Sequence, residues 1–304
     1  MIRNMNRLKK WIKASRPHTM GLSFAVIFAG SGLVGWPALH LSVLSLALLA
    51  AGGFQLLSNF ANDYGDFHKG TDSHREETYR ALSGANFTVK QIKTAIVLLA
   101  IVSLLATVFL VVSSPVSVAG KWLMFALGIA SIIAAMAYTL GKRPYGYYAL
   151  GDIMVFIFFG MVGVVGSYYL QGGNPANPGV WLIAVTFGAL STTVLNINNI
   201  RDNDSDKRNG KITVANVLGK NAIVYQRCLF ITALLGLISY SLFINVLGWL
   251  PTVVTGLLIY YIQRLLGQAS KHADFNHCLA TTVKTTLLIG LLVCLAGLLH
   301  NYSS

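Results

Sequence analysis

The chain has 304 residues, 55% of them hydrophobic and only 11% charged, whereas roughly a quarter of an average soluble domain is charged. That balance excludes a water-soluble fold. The formal net charge of +13 needs no nucleic acid to explain it, because basic loops facing anionic lipid headgroups account for it.

Runs of about 20 apolar residues, the length that crosses a hydrocarbon core of about 30 Å as helix, recur along almost the whole sequence. One membrane domain over 1–304 is therefore expected, with 1–18 as a polar N-terminal segment. Hydropathy and the Gly, Pro and charged interruptions predict nine transmembrane helices, at 19–36, 39–61, 91–113, 121–140, 150–170, 179–199, 223–246, 249–265 and 283–300. The fold class is an all-α integral membrane bundle around a central cavity.

In chain order, the N-terminal tail carries Arg3, Arg7, Lys9, Lys10, Lys13 and Arg16, and the connection after the second helix carries Lys69, Arg75, Arg80, Lys90 and Lys93. Lys142 and Arg143 follow the fourth helix. Arg201, Lys207, Arg208, Lys211, Lys220 and Arg227 follow the sixth, and Arg264, Lys271 and Lys284 surround the connection after the eighth. Only Lys121 of the 23 falls on the opposite face. Lys and Arg concentrate in cytoplasmic loops, so the N-terminus is expected inside a bacterial cytoplasmic membrane. The first apolar run has no small-residue cleavage site behind it and is expected to stay. Cys228, Cys278 and Cys294 form no CxxC pair and read as structural thiols.

The ends of the second and sixth helices share one spacing. Asn59, Asn62, Asp66 and Gly70 stand at steps of three, four and four, and Asn199, Asp202, Asp206 and Gly210 repeat those steps. At about 100° per residue each set forms a stripe on one helix face. Asp63 and Asp72 join the first set and Asp204 the second. Ionisable residues at a membrane edge are costly and mark sites, and both clusters fall on the same side. Carboxylates with amide oxygens are hard donors suited to Mg²⁺, which is typically shared between a few carboxylates and a substrate's phosphates. The interleaved cations would meet the remaining phosphate charge. The bland alternative is that these residues cap helix ends, with Asn59 and Asn199 as interhelical hydrogen-bond glue. A cation transporter is a further alternative, but it would place charges deep in the spans or on both faces.

Five stretches carry a resemblance that spans nearly the full length. They are W-x-x-x-x-R-P-x-T from Trp11 to Thr19, NDYGD with its following K-G-x-D, YTLGKRPYGYYALGD, the FFG of the fifth helix, and LNINNIRDNDSDKRNGK. With these the chain resembles the UbiA superfamily of intramembrane prenyltransferases, most closely the 1,4-dihydroxy-2-naphthoate polyprenyltransferases of menaquinone synthesis. The resemblance implies that polyprenyl diphosphate is held through Mg²⁺ by Asn62, Asp63, Asp66 and Asp72 with Asn199, Asp202 and Asp206. Tyr138 and Lys142 match the superfamily's Y-x-x-x-K, which implies a Lys142 contact to the diphosphate, with Arg143 beside it. Arg201 and Arg80 are both candidates for the acceptor's carboxylate.

One departure is that the usual G-P-x-R after the first motif reads Glu77-Thr78-Tyr79-Arg80, which leaves 4-hydroxybenzoate or a quinolone open as acceptor. The glycines of the fifth helix, Gly160, Gly163 and Gly166, either make room for a lipid tail or let helices pack closely. Tyr145, Tyr147 and Tyr148 read as interface aromatics. His68, His74, His272 and His277 read as solvated neighbours of the site, and Lys284 either faces the site or snorkels.

Overall fold

A computed structural model describes residues 7–70, 81–82, 87–242 and 249–300. Asp72, His74 and Arg80 lie outside these described residues. The chain forms α1 (Arg7–Ser15), α2 (Met20–Gly32), α3 (Leu41–His68), α4 (Val89–Ser113), α5 (Val118–Ala137), α6 (Gly151–Leu170), α7 (Pro178–Arg201), α8 (Asn203–Arg208), α9 (Val214–Leu218), α10 (Ala222–Ser241), α11 (Trp249–Gln268) and α12 (His272–His300).

The helix starts follow local chemistry. Thr88 caps α4 in a reciprocal capping box with Gln91, and Thr213 does the same for α9 with Asn216. Asn177 caps α7 with Pro178 in the first turn. On α4 the outward face exposes Val97, Leu98, Ile101, Leu105, Phe109 and Val112, which is stable only if hydrocarbon faces them.

Among the described residues eight helices are long and apolar enough to cross a membrane, one fewer than the nine expected. The exception is the first span, expected at 19–36. Its α-helix covers the 13 residues Met20–Gly32, a rise of about 20 Å, preceded by a 3-10 turn at Pro17–Thr19. It is packed against α3, α6 and α12. At its contact with α12 the backbones nearly touch, because a Cβ on Gly32 would lie 2.4 Å from the Cys294 Cα and one on Gly290 2.5 Å from the Ala25 carbonyl oxygen. Small residues permit such an approach.

Two boundaries shift in ways that matter. α3 runs to His68, beyond the expected end at 61, so Asn62, Asp63 and Asp66 sit on helix. α12 begins at His272, well before 283, so Asn276 also sits on helix. The middle of α6, Phe156–Val165, is wound as π-helix, a form usually confined to single turns at functional sites.

The bundle pairs α2 with α3 and α12, α3 and α5 with α4, α6 and α10 with α7, and α11 with α10 and α12. Between α2, α3, α4, α5, α6, α7 and α12 it encloses a cavity of about 540 Å³.

Candidate active site

The C-terminal ends of α3, α5 and α7 meet the N-terminal end of α12 at one end of the cavity. Thr139, just past α5, donates to the Ala61 carbonyl at 3.0 Å and to the Asn62 side chain at 3.1 Å. Arg201 on α7 donates to Asn276 on α12 at 2.5 Å. Asn59, Asn62 and Asp66 of the first motif are thereby gathered with Asn198 and Arg201 of the second at one end of a largely apolar cavity.

The repeated 3-4-4 spacing closes on a glycine in each motif, and both glycines have positive φ, 73° at Gly70 and 68° at Gly210. After Gly210 the chain turns back. The Gly210 amide donates to the Lys207 carbonyl at 3.2 Å, and the Lys211 amide to the Asp206 carbonyl at 2.9 Å, the paired bonds of a Schellman ending. Lys211 returns over the helix that it has just left. Its side chain is buried, 4% exposed, with Nζ 3.5 Å from the fully buried Asp206 carboxylate.

A second loop fixes Lys211 from above. Ile212 bridges to the segment after α5, its amide donating to the Tyr147 carbonyl at 3.1 Å and its carbonyl accepting from the Ala149 amide at 2.9 Å. This sets the Tyr147 ring 5.6 Å from Lys211 Nζ and 5.1 Å from Lys69 Nζ, within cation–π reach. The Tyr147 hydroxyl donates to Asp66 at 2.8 Å. One pole of the site therefore links Asp66 of the first motif through Tyr147 and Lys211 to Asp206 of the second.

The other pole is cationic. Arg16, in the left-handed conformation at φ 51°, ion-pairs with Asp63, whose second oxygen accepts the Ala81 amide at 2.9 Å. Arg201 grips Asp202 through Nε at 2.7 Å and Nη2 at 2.9 Å and bonds the Asn198 side chain at 2.8 Å. His18, exposed on its outer side, stands in the lining with Arg16 and Arg201. Its imidazole is held below the ordinary histidine pKa, first by partial loss of water and then by the Arg16 and Arg201 charges. Burial, with the neighbouring Tyr138, pushes the Tyr145 phenol well above its usual value.

The cavity lining includes Asn59, Asn62, Asp66, Tyr138 and Arg201 of the expected site residues. Asn59 also works as glue, donating to the Ser15 carbonyl at 2.9 Å and to Thr19 at 3.0 Å. Asp63 and Asp202 are buried beside the cavity on their arginines. Asn199 is buried with its side-chain oxygen unpartnered. Lys142 and Arg143 are exposed on the turn after α5 and do not enter the lining.

His68, His272, His277 and Lys284 are exposed. Gly160 serves packing, since a Cβ there would lie 2.4 Å from the Ala184 oxygen, whereas Gly163 and Gly166 line the cavity. Sequence reasoning passed over Lys211, Tyr147 and His18. For Lys211 the signal was the Gly-Lys that closes the second motif.

The donors on offer are oxygens: Asp66, Asp202 and Asp206, with Asn62 and the unpartnered Asn199. No three His, Cys, Asp or Glu come together among the described residues. The chemistry of these oxygen donors suits a hard divalent cation such as Mg²⁺, which is typically held by one or two carboxylates together with water and a substrate's phosphate oxygens.

Residues 20–288 match the model of the UbiA prenyltransferase family. The chain is 38% identical to the 1,4-dihydroxy-2-naphthoate octaprenyltransferase of Escherichia coli over 99% of this chain and 98% of that protein. It is 37% identical to that of Haemophilus influenzae over 90% and 87% of the two chains. Among solved structures, the fold is shared with a UbiA homologue from Aeropyrum pernix at TM-score 0.69 and 15% identity, covering 92% of this chain and 97% of that one. It is also shared with a UbiA homologue from Archaeoglobus fulgidus bound to GPP and Mg²⁺, at TM-score 0.67 and 14% identity over 94% and 99%. A family match over most of the length, joined to near-full-length relatives at 37–38% identity, identifies this chain as a member of the UbiA prenyltransferase family.

Proposed function

We propose that the chain transfers a polyprenyl group from polyprenyl diphosphate to 1,4-dihydroxy-2-naphthoate, releasing diphosphate and CO₂ and yielding demethylmenaquinol, the reduced form of demethylmenaquinone. The observation that carries this reading is the link Asp66–Tyr147–Lys211–Asp206, which joins both aspartate motifs at one end of a largely apolar cavity. Near-full-length relatives named for this reaction support the acceptor.

Asp66 and Asp206, with Asn62, Asn199, Asp202 and, by resemblance, Asp63 and Asp72, hold the diphosphate through Mg²⁺. Bound there, magnesium supplies positive charge to the leaving diphosphate. Lys211 adds a fixed ammonium inside the cavity, where preorganised charge is worth most. Tyr138 and its T-shaped partner Tyr145, with centroids 5.3 Å apart, present ring faces and edges to the allylic carbon as its bond to oxygen lengthens. The apolar walls below take the prenyl tail and keep water from the carbocation-like centre. Lys142 and Arg143, exposed beyond α5, take the resemblance's diphosphate contact only from outside the lining. The site opens to the cytoplasmic side, where the charge census puts the N-terminus.

The experiment supplies membranes holding the protein with labelled polyprenyl diphosphate, Mg²⁺ and a panel of aromatic acids. Demethylmenaquinol from dihydroxynaphthoate is the expected product, recovered as demethylmenaquinone after oxidation in air. Prenylation of 4-hydroxybenzoate or a quinolone with dihydroxynaphthoate unused would overturn the acceptor.

A further inference from the structure

Aromatic prenylation needs more than a leaving diphosphate, because the acceptor ring must lose a hydroxyl proton as it attacks. The pole built from Asp66, Tyr147, Lys211 and Asp206 is committed to phosphate and metal. The opposite pole holds His18, which is the one imidazole in the cavity lining among the described residues.

Its position is built rather than incidental. Arg16 takes the left-handed conformation and Pro17 starts a 3-10 turn, which sets Arg16, His18 and Thr19 at the cavity wall. Thr19 closes that turn by donating to the Arg16 carbonyl at 2.9 Å, and Asn59 of α3 fastens both sides of it through Ser15 and Thr19. The flanking guanidiniums are equally fixed, Arg16 on Asp63 and Arg201 on Asp202, Asn198 and Asn276.

The charged groups around His18 are thus Arg16 with Asp63 on its own side and Arg201 with Asp202 from α7. Asp66 of α3 and Lys211 line the same cavity, and α12 contributes the neutral Asn276. Both near neighbours are cations, which disfavour an imidazolium between them and keep the ring's lone pair available.

We propose that His18 is the proton acceptor for the aromatic substrate, with Arg16 and Arg201 flanking it to hold the negative charge of the acceptor's carboxylate and of the ring oxygen as it loses its proton. This rests on the reaction proposed above. The bond that forms joins the first prenyl carbon to the ring carbon bearing the carboxylate. The bond that breaks joins that prenyl carbon to the diphosphate oxygen, which leaves with the electron pair. The adjacent hydroxyl gives its proton to the imidazole, and its O–H pair becomes the carbonyl π bond. Carbon dioxide then leaves, the ring–carboxylate pair returns to the ring, and the imidazolium gives the proton back to oxygen. No oxidant and no net proton are required.

The test uses the full chain in membranes with polyprenyl diphosphate, dihydroxynaphthoate and Mg²⁺, comparing wild type with His18→Gln and His18→Ala. A proton acceptor of this kind contributes typically about 100-fold or more to turnover. The expected result is that loss in kcat for both variants, with KM for the diphosphate unchanged. Added imidazole should restore turnover to His18→Ala. The acidic limb of the wild-type pH profile, where rate falls as His18 gains a proton, should vanish from the variants.

Turnover within about threefold of wild type overturns the role, and so does a loss that imidazole leaves unrescued with the acidic limb intact, which marks His18 as merely structural. A wild-type chain that leaves dihydroxynaphthoate untouched overturns the reaction and this role with it. An active wild type beside an active His18→Gln overturns this role alone.

Discussion

Asp66 and Lys211 meet on opposite parts of one ring: the Tyr147 hydroxyl bonds the Asp66 carboxylate at 2.8 Å, and the Lys211 ammonium stands 5.6 Å from the ring centroid. Two motifs 140 residues apart in sequence, by the numbers of Asp66 and Asp206, are coupled by a residue that belongs to neither. Tyr147→Phe keeps the ring and removes the hydroxyl, so kcat/KM should fall about tenfold, the scale of one hydrogen bond to a charged group. Tyr147→Ala also removes the surface facing Lys69 and Lys211 and should fall further. Steady-state kinetics on the two variants check the order.

Lys211 is buried in the site, whereas Lys142 is exposed. Lys211→Met should therefore lower kcat by about 100-fold or more, on the scale of losing one preorganised charge donor, and Lys142→Met by far less. Removing Lys211 also strips the buried Asp206 of its ion-pair partner, a change that typically costs about 3–5 kcal/mol. The pair Asp206→Asn with Lys211→Met should recover thermal stability and not activity. Equal losses from the two lysine variants would return the diphosphate contact to Lys142.

Asp66→Ala and Asp202→Ala should each lower turnover by at least about 100-fold while the chain stays inserted. For Asp66 the loss is direct, at the cavity. For Asp202 it includes release of Arg201 from its paired contact. A ligand that binds only the folded state raises its melting temperature, so prenyl diphosphate with Mg²⁺ should stabilise the wild type. EDTA should abolish both that shift and turnover, and Asp66→Ala should lack the shift.

Asp63 is gripped by Arg16 and by the Ala81 amide, so a role in holding the N-terminal turn predicts a stability defect. Arg16→Ala, which leaves a buried carboxylate without its guanidinium, should cost about 3–5 kcal/mol, and Asp63→Asn less. If Asp63→Asn instead loses Mg²⁺-dependent binding at unchanged melting temperature, its resemblance-based role as a metal ligand is the correct one.

Hydropathy and the basic loops revealed the spans, because each long helix must present apolar residues to lipid whatever its partners. The 3-4-4 stripe was legible for the same local reason: residues at those steps share a helix face. Lys211 was not. Its place depends on Gly210 turning the chain back and on Ile212 bridging to Tyr147, which are contacts of turn and loop that periodicity does not report. Asp202 read as a ligand from the spaced stripe and Asp63 from the resemblance, and the arginines that hold them became visible only when the turn after α1 was brought together with α3 and α7. The early start of α12 escaped because His272, Asp274 and His277 make its first turns polar, although Cys278 there is already buried. The short first span satisfied the hydropathy test through Leu33 and Val34, which lie past its helical end.

The π-wound stretch of α6 gives this enzyme a reserve of adjustable register. A π turn carries one residue more than an α turn, so shortening Phe156–Val165 by one would let part of it rewind as α-helix. Because the π turn had absorbed the extra residue, the α-wound ends on either side would keep their facing. Phe158, Phe159 and Val162 would shift along the cavity wall, while Met154, Val155, Gly166 and Ser167 kept their seats. A single deletion could thus recontour the lipid-binding surface without touching an aspartate, an arginine or the lengths of the connecting loops.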